Sequence, residues 1–340
     1  MSRILMVVLS DYLGGMEKHV LELSEHLCAR GHSVKLVCGE NYPKTEVANL
    51  CKHVISSKLS RYNPLLICRI AREILNFSPD IIHCHGTKAT FVLGLIPRLG
   101  SAKRVATVHG LKKIAGAYRK LDHCIGVSQQ ITNRLRSEDI ATTLVYNGMD
   151  LPQDHTRPND ILTPKPNSTF IWALVGRLAK VKGFELAIEA LAELDEHAAI
   201  IIGEGPEKEA LENLVLQLGI SHRVQFLGFR NDVPHLLKIA NGTLITSHRE
   251  GFSYVFLESM LCGTPVVATD VPVANEILPK EYICRDRRPS SLAKIMEMVK
   301  LKQETEDIQT AEIERCRTSF TLNAMVNNVE TVYQTMAGYE

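Results

Sequence analysis

The chain opens on an unbroken apolar run, Ile4 to Leu9, and after Gly14-Gly15 the apolar positions Val20, Leu21, Leu23, Leu27 and Ala29 recur at helical spacing. Arg30-Gly31-His32 then supplies the cation and the glycine that end a helix. A short apolar run feeding an amphipathic stretch of this kind predicts a buried strand followed by a helix. The unit recurs: strands are predicted at 34–37, 81–85, 105–109, 124–127 and 143–146, and a helix over 64–77 with Arg69 and Arg72 on its polar face. Aliphatic strands that alternate with helices call for a mostly parallel sheet covered on both faces, a doubly wound α/β fold.

Four of the 14 prolines, Pro152, Pro158, Pro164 and Pro166, fall between 151 and 168 among Asp, Asn and Thr, where neither helix nor central strand can continue. We therefore expect a linker over 154–168, between a first domain at 1–153 and a second at 169–320. A length of 340 residues agrees with two cores. The second half restarts the alternation, with strands at 170–175, 198–202, 224–227, 243–246 and 265–268 and helices over 185–194, 207–218 and 253–262. The pattern describes two tandem Rossmann-like domains. A last helical stretch over 321–336, apolar on one face through Leu322, Met325, Val326, Val329 and Val332-Tyr333, is longer than the second sheet needs.

Composition adds exclusions. With 45% hydrophobic and 23% charged residues the chain is neither disordered nor collagen-like. No apolar run approaches the roughly 20 residues that span a bilayer. Met1-Ser2-Arg3 runs straight into the first strand with no small-residue cleavage site, so a cytoplasmic location is expected, at most at the inner face of a membrane. The nine cysteines are scattered without a Cys-x-x-Cys pair, which predicts reduced thiols. The net charge of +1 hides an asymmetry: residues 1–150 carry 20 Lys+Arg against 12 Asp+Glu, residues 151–340 carry 19 against 26. An anionic partner is therefore expected at the first half.

The segment from Ser247 to Val267 carries the most chemistry. Glu250 and Glu258 bracket Gly251-Phe252-Ser253 and the start of a helix that ends at Gly263. Eight helical positions would separate the two acids by about 12 Å, which suits an extended ligand with a polyhydroxyl group at each end. The first-turn amides of that helix, around Gly251 to Tyr254, form an anion site between them. Ribose, diphosphate and sugar make up such a ligand. Gly176-Arg177-Leu178 to Lys182-Gly183 follows a predicted strand and precedes a helix, so Arg177 and Lys182, with Lys180 as the alternative inward lysine, stand where open α/β sheets bind ligands. Two cations there can clamp a diphosphate and stabilise it as a leaving group.

Taken together, the Glu-x7-Glu block, the Gly-Arg-Leu…Lys-Gly block, Gly203-Glu204-Gly205-Pro206, Val224 to Arg230 and Gly263-Thr264-Pro265-Val266-Val267 resemble the retaining glycosyltransferases of family four. The resemblance implies the GT-B fold, two Rossmann-like domains facing a central cleft, with the final helix crossing back to the first domain. It also implies roles: Arg177 and Lys182 on the donor diphosphate, Glu258 on the ribose hydroxyls and Glu250 on the donor sugar. The backbone near Phe229-Arg230 would meet the base, and Gly203 and Gly205 would line the nucleotide cleft. Gly251 and Phe252 belong to the donor loop, and Ser253 stands where the family commonly has proline; its hydroxyl can cap the same turn. In the first half, Asp11-Tyr12-Leu13-Gly14-Gly15 resembles the family's glycine loop beside the donor, and His109, in Thr107-Val108-His109-Gly110, takes the place of the histidine set against the transferred sugar.

The activity implied is transfer from a nucleotide sugar, expected to be UDP-linked, to a glycan or lipid-linked acceptor of lipopolysaccharide core, O-antigen or capsule assembly. No cofactor is expected, because the chain has no Asp-x-Asp motif for a divalent ion and its cations can neutralise the diphosphate. His83 and His85 share a strand face and resemble a metal pair, but no third ligand shows convincing spacing. The acceptor, or an anionic membrane met peripherally, is expected on the basic stretch Arg98, Lys103, Arg104, Lys112, Lys113, Arg119 and Lys120. Nucleic acid is not expected. Two other readings stay open: a non-catalytic nucleotide-sugar-binding subunit, and a sugar phosphorylase or epimerase on the same fold.

Overall fold

The computed structural model describes residues 1–10, 14–40, 42, 50–56, 58–110, 116–150, 170–304 and 306–337. The expected linker at 154–168 and Asp11-Tyr12-Leu13 lie outside these residues. Contacts divide the chain into two units, Met1–Gly148 with Thr321–Glu340, and Met149–Phe320. The break comes before the expected residue 153 because the amide of Met149 already donates to the carbonyl of Phe320 at 3.1 Å.

Unit 1 runs β1 (Arg3–Val8), α1 (Gly15–Ala29), β2 (Ser33–Cys38), β3 (Leu50–Val54), α2 (Pro64–Phe77), β4 (Ile81–His85), α3 (Gly86–Leu95), β5 (Lys103–Val108), β6 (His123–Gly126), α4 (Gln129–Arg136) and β7 (Thr142–Leu144). All neighbouring strands pair in parallel, in the order β3-β2-β1-β4-β5-β6-β7. Strands β1 and β4 are buried almost throughout, as expected where helices cover both faces. Strand β3 was not foreseen: it is an edge strand, half exposed, and its Leu-Cys-Lys-His-Val has no apolar periodicity.

Unit 2 follows the same plan: β8 (Phe170–Val175), α5 (Phe184–Ala192), β9 (His197–Ile202), α6 (Lys208–Gln217), β10 (Val224–Gly228), α7 (Val233–Ile239), β11 (Gly242–Ile245), α8 (Tyr254–Cys262), β12 (Val266–Thr269), α9 (Ala274–Ile277), β13 (Ile283–Cys284), α10 (Pro289–Gln303) and α11 (Thr310–Ser319). Its parallel sheet has the order β10-β9-β8-β11-β12-β13. Both sheets are thus doubly wound, with the strand order reversing beside β1 in the first and beside β8 in the second.

The last helix, α12 (Leu322–Ala337), belongs to unit 1. Its apolar face, Leu322, Met325, Val326, Val329, Val332 and Tyr333, is buried in one core with Ile4, Met6, Leu23 and Leu27. Arg30 at the end of α1 donates to Asn323 and Asn327 at 2.6 Å each and pairs with Glu330. Entry to the helix is tight: a Cβ on Gly148 would stand 2.1 Å from the carbonyl oxygen of Thr321.

Candidate active site

In unit 2 the loops after β8 and β11 leave the carboxyl edge of the sheet from adjacent strands, at the point where strand order reverses. Such a point leaves a crevice, because the helices that follow the two strands go to opposite faces. Lys182, from the first loop, donates to Oε1 of Glu250, from the second, at 2.7 Å; Ser247 Oγ donates to the same oxygen at 2.7 Å. Both members of the pair are mostly buried, with 24% and 12% of their side chains exposed. Lys180 is exposed, so Lys182 is the inward lysine. Arg177, one residue past Gly176, is exposed beside them.

The two loops are stitched by backbone. The amide of His248 donates to the carbonyl of Val181 at 2.8 Å, and Thr246 Oγ1 donates to that of Lys182 at 3.1 Å. Arg287 donates to the carbonyls of Ser247 (2.7 Å) and Thr246 (2.9 Å) from a segment beyond β13. Sequence reasoning missed Arg287, since a charged residue among Arg285-Asp286-Arg287-Arg288 has the look of a solvated surface. Gly203 has φ +138°, and a Cβ there would sit 1.9 Å from the carbonyl oxygen of Gly176; one on Gly205 would sit 2.2 Å from that of Leu178. No side chain fits at either place, so the turn after β9 lies flat against the Arg177 loop. Gly203 also donates to the carbonyl of Gly228 at 2.7 Å, tying in the Phe229-Arg230 turn. Phe229 presents its ring with 74% exposed. Arg230 is instead held by Asp232 through two 2.8 Å contacts, which pull the Asp232 carboxyl below its usual range.

Helix α8 begins at Tyr254, with Gly251 and Phe252 before it and Ser253 as its cap, whose hydroxyl accepts from the amide of Phe256 at 3.3 Å. The 12 Å spacing expected for Glu250 and Glu258 is therefore corrected. Glu250 lies in the loop, and only Tyr254 to Glu258 are helical, a rise of about 6 Å. The first-turn amides of α8 have no intrahelical acceptor and sit between the two acids in sequence.

In unit 1, Gly14 caps α1 and donates to the Glu17 carboxylate at 3.0 Å, which also accepts from Ser10 at 2.5 Å. Gly15 is the first residue of that helix. His109 follows β5 and meets His85, at the end of β4, with 3.1 Å between His109 Nε2 and His85 Nδ1. His19 of α1 packs edge-on to His109, ring centroids 4.8 Å apart. Burial pushes His19 down to about 4 and His83 to about 3, and holds His85 and His109 well below the usual imidazole range. All four are neutral at pH 7. His19 is 3% exposed and neither ring nitrogen meets a hydrogen-bond partner; Asn147 faces it out of hydrogen-bond geometry.

The third imidazole that the sequence did not reveal is thus provided by folding. His19, His85 and His109 place ligand nitrogens within 4.8 Å of one another, a donor set that suits a divalent transition metal. His83 is not part of it: Tyr333 of α12 takes its Nδ1 at 2.6 Å and Thr107 its Nε2 at 2.8 Å. His19 sits beside Val20 and Leu23 on the buried face of α1, and that placement was its one sequence signal.

One member of the basic stretch is corrected. Arg104 is 4% exposed and donates to the carbonyls of Leu93, Ile96 and Pro97. Arg98 pairs with Asp122 at 2.6 Å, Arg119 with Glu138 at 3.7 Å, and Lys120 donates to the carbonyl of Gly94. Arg104 is thus turned inward, while Arg98, Lys103, Arg119 and Lys120 stay exposed. Lys112 and Lys113 lie outside the described residues.

Comparison with known proteins bears on the family and the fold. The family model described as glycosyl transferases group 1 matches residues 161–314, and that of glycosyltransferase family 4 matches 13–153. An uncharacterized glycosyltransferase of Methanocaldococcus jannaschii is 27% identical over 79% of this chain and 80% of its own. The UDP-Gal:alpha-D-GlcNAc-diphosphoundecaprenol alpha-1,3-galactosyltransferase of Escherichia coli is 24% identical over 81% of each. Among solved structures, Anabaena HepE in complex with UDP superposes with a TM-score of 0.82 at 22% identity, over 98% of this chain and 100% of that one.

Proposed function

Because the chain belongs to the family-four glycosyltransferases of the GT-B fold, we propose that it transfers a sugar from a UDP-linked donor to a glycan or lipid-linked acceptor with retention of configuration. The observation that carries this reading is the meeting of Lys182 and Glu250 at 2.7 Å, 68 residues apart, at the switch point of unit 2. HepE has been solved with UDP and with UDP-glucose, which supports the donor class. The diphosphoundecaprenol in the name of the Escherichia coli relative supports a lipid-linked acceptor, as in lipopolysaccharide core, O-antigen or capsule assembly.

In this reading the diphosphate lies against Arg177, Lys182 and the first turn of α8, and Glu258 takes the ribose hydroxyls. The turn at Phe229-Arg230 meets the base. Glu250 uses Oε1 for Lys182 and Ser247, and Oε2 is the oxygen we assign to the donor sugar. His109 is assigned to the sugar from unit 1, with Gly14 and Gly15 beside the donor phosphate. As the bond from the anomeric carbon to the diphosphate breaks, charge grows on the departing oxygen and the two cations stabilise it. The acceptor oxygen bonds to the anomeric carbon on the same face, and its proton passes to the departing phosphate oxygen. No step uses a metal, and the reading expects activity in EDTA.

Peripheral contact with an anionic membrane is proposed through α2. Leu65 and Leu75 are exposed beside Arg69 and Arg72, while Leu66, Ile70 and Ile74 face the core. No helix among the described residues is long and apolar enough to cross a membrane. The deciding experiment is a panel of nucleotide sugars scored by thermal stabilisation and then by turnover with and without EDTA. Stabilisation by UDP-sugars with turnover in EDTA is expected. Stabilisation by no nucleotide sugar, or turnover that magnesium alone restores, would overturn the reading.

A further inference from the structure

The three imidazoles that meet in unit 1 come from three separate elements: His19 from α1, His85 from the end of β4 and His109 from just past β5. Their ring centres are 5.4 Å (His19 to His85), 4.8 Å (His19 to His109) and 5.5 Å (His85 to His109) apart. Around a tetrahedral ion with metal–nitrogen bonds of about 2.0–2.1 Å, the centres of neighbouring imidazoles stand roughly 5 Å apart. The rings are therefore already at ligand spacing. The facing nitrogens of His85 and His109, at 3.1 Å, are close to the roughly 3.4 Å that two ligands of one ion require, and His19 completes the set by turning about its side-chain bonds.

That turn gives up no hydrogen bond. His19 is 3% exposed, and both its nitrogens, like Nε2 of the buried His85, have no hydrogen-bond partner. Unpaired buried polar atoms are rare in folded proteins, and an ion is one of the groups that satisfies them. His83 shows the contrast, since Tyr333 and Thr107 take both of its nitrogens. His85 and His109 also line a cavity of about 790 Å³ at the carboxyl ends of β1, β4 and β5, which gives an ion its entry and leaves one position open. Three neutral nitrogens, with no carboxylate among the described lining residues, disfavour the hard ions magnesium and calcium and select zinc, copper(II), nickel or cobalt. Lys58, Arg61 and Lys88 in the cavity wall favour a small anion, such as hydroxide or chloride, at the open position.

We propose that His19, His85 and His109 bind one divalent transition-metal ion of the zinc class, and that the bound ion inhibits sugar transfer. The inhibition rests on the glycosyltransferase reading, which sets His109 against the donor sugar. An ion on His109 withdraws the nitrogen and takes up space that the sugar needs. The site is thus separate from the transfer chemistry, which proceeds in EDTA.

The test titrates cobalt(II), whose visible d–d bands report a four-coordinate site, into the metal-stripped full chain. The wild type should develop those bands with a single equivalent, without the sulfur-to-cobalt charge-transfer absorption that its cysteines would give. His19→Leu and His85→Gln should bind cobalt at least about tenfold more weakly. His222→Ala, which removes an exposed histidine of unit 2, should match the wild type. His19 lies on the buried apolar face of α1, so leucine is accommodated there and His19→Leu keeps the fold. In a second arm zinc is added to the wild type turning over its best UDP-sugar. Inhibition that EDTA reverses is expected, with His19→Leu at least about tenfold less sensitive. Equal cobalt binding by the wild type and both ligand variants, bands that appear only with thiolate charge transfer, or full turnover at zinc concentrations that fill the site would overturn the proposal. If no UDP-sugar were turned over, the glycosyltransferase reading would fall, while the cobalt series would still decide the metal site.

Discussion

Four neutral imidazoles buried together make unit 1 sensitive to acid. His19, His83, His85 and His109 are all held below the ordinary imidazole value of 6.5 by burial, His19 at about 4 and His83 at about 3. In the unfolded chain each takes up a proton near pH 6.5, so between there and its folded value the unfolded state binds more protons. Stability must then be fully present above pH 6.5 and fall as the pH drops below it. At pH 5.5 each imidazole that stays neutral costs on the order of 1 kcal/mol relative to neutral pH, and the four together several kcal/mol. That is the scale of a whole domain's stability, which is typically about 5–15 kcal/mol. Urea unfolding at pH 7.5 and 5.5 would measure it, with hydrogen exchange reading unit 1. The chain's one tryptophan, Trp172, reads unit 2 from its buried place against His197. Unit 2 should lose no more than one imidazole's worth, since His197 is also pushed down by burial. His19→Leu should raise stability at pH 7.5, because it removes two unpartnered nitrogens, and reduce the acid loss by about one proton. Equal losses in the two units, or a loss under about 1 kcal/mol in unit 1, would show that the rings ionise inside the fold and would refute the reasoning.

Glu258→Ala should weaken binding of UDP itself by about 1.5–3 kcal/mol, through loss of a charged acceptor for the ribose; unchanged affinity in calorimetry would remove that assignment. Arg177→Ala and Lys182→Ala should lower kcat by tenfold or more and reduce turnover more than folding stability, because their charge acts as the leaving group departs; Lys182→Ala also leaves Glu250 without its cation and lowers the melting temperature more than Arg177→Ala does. A variant with wild-type kcat would exclude its cation from the clamp. Deleting residues from Thr321 onward removes six buried side chains of α12, each worth about 1.5–3 kcal/mol, and uncovers the core of β1 and α1 on which they pack. Exchange protection should then fall in β1 and α1, and protection lost only in unit 2 would contradict the packing.

Strand by strand, the doubly wound fold was legible because central strands, buried on both faces, are unbroken apolar runs. Ile81–His85 and Phe170–Val175 end where the pattern ends. Edge strand β3 was not legible, since one unpaired, solvated side removes the periodicity that marks a strand. The candidate donor residues were visible as local turns, each a contiguous glycine-bearing segment after a predicted strand. Their partners were not. Lys182 finds Glu250 only because β8 and β11 are neighbours in the sheet, and Arg287 finds Ser247 because β12 and β13 follow β11 in it, adjacencies decided by strand order. The same holds in unit 1, where β4 and β5 bring His85 to His109 and α1 lays His19 over both. Charge showed the reverse failing: Arg98 and Arg104 counted as positive in the sequence, yet folding aims them at Asp122 and at backbone carbonyls. Periodicity and turn chemistry act over a few residues and are written in the chain itself. The direction in which a polar side chain finally points depends on segments tens of residues away, so only the tertiary structure decides which polar groups meet.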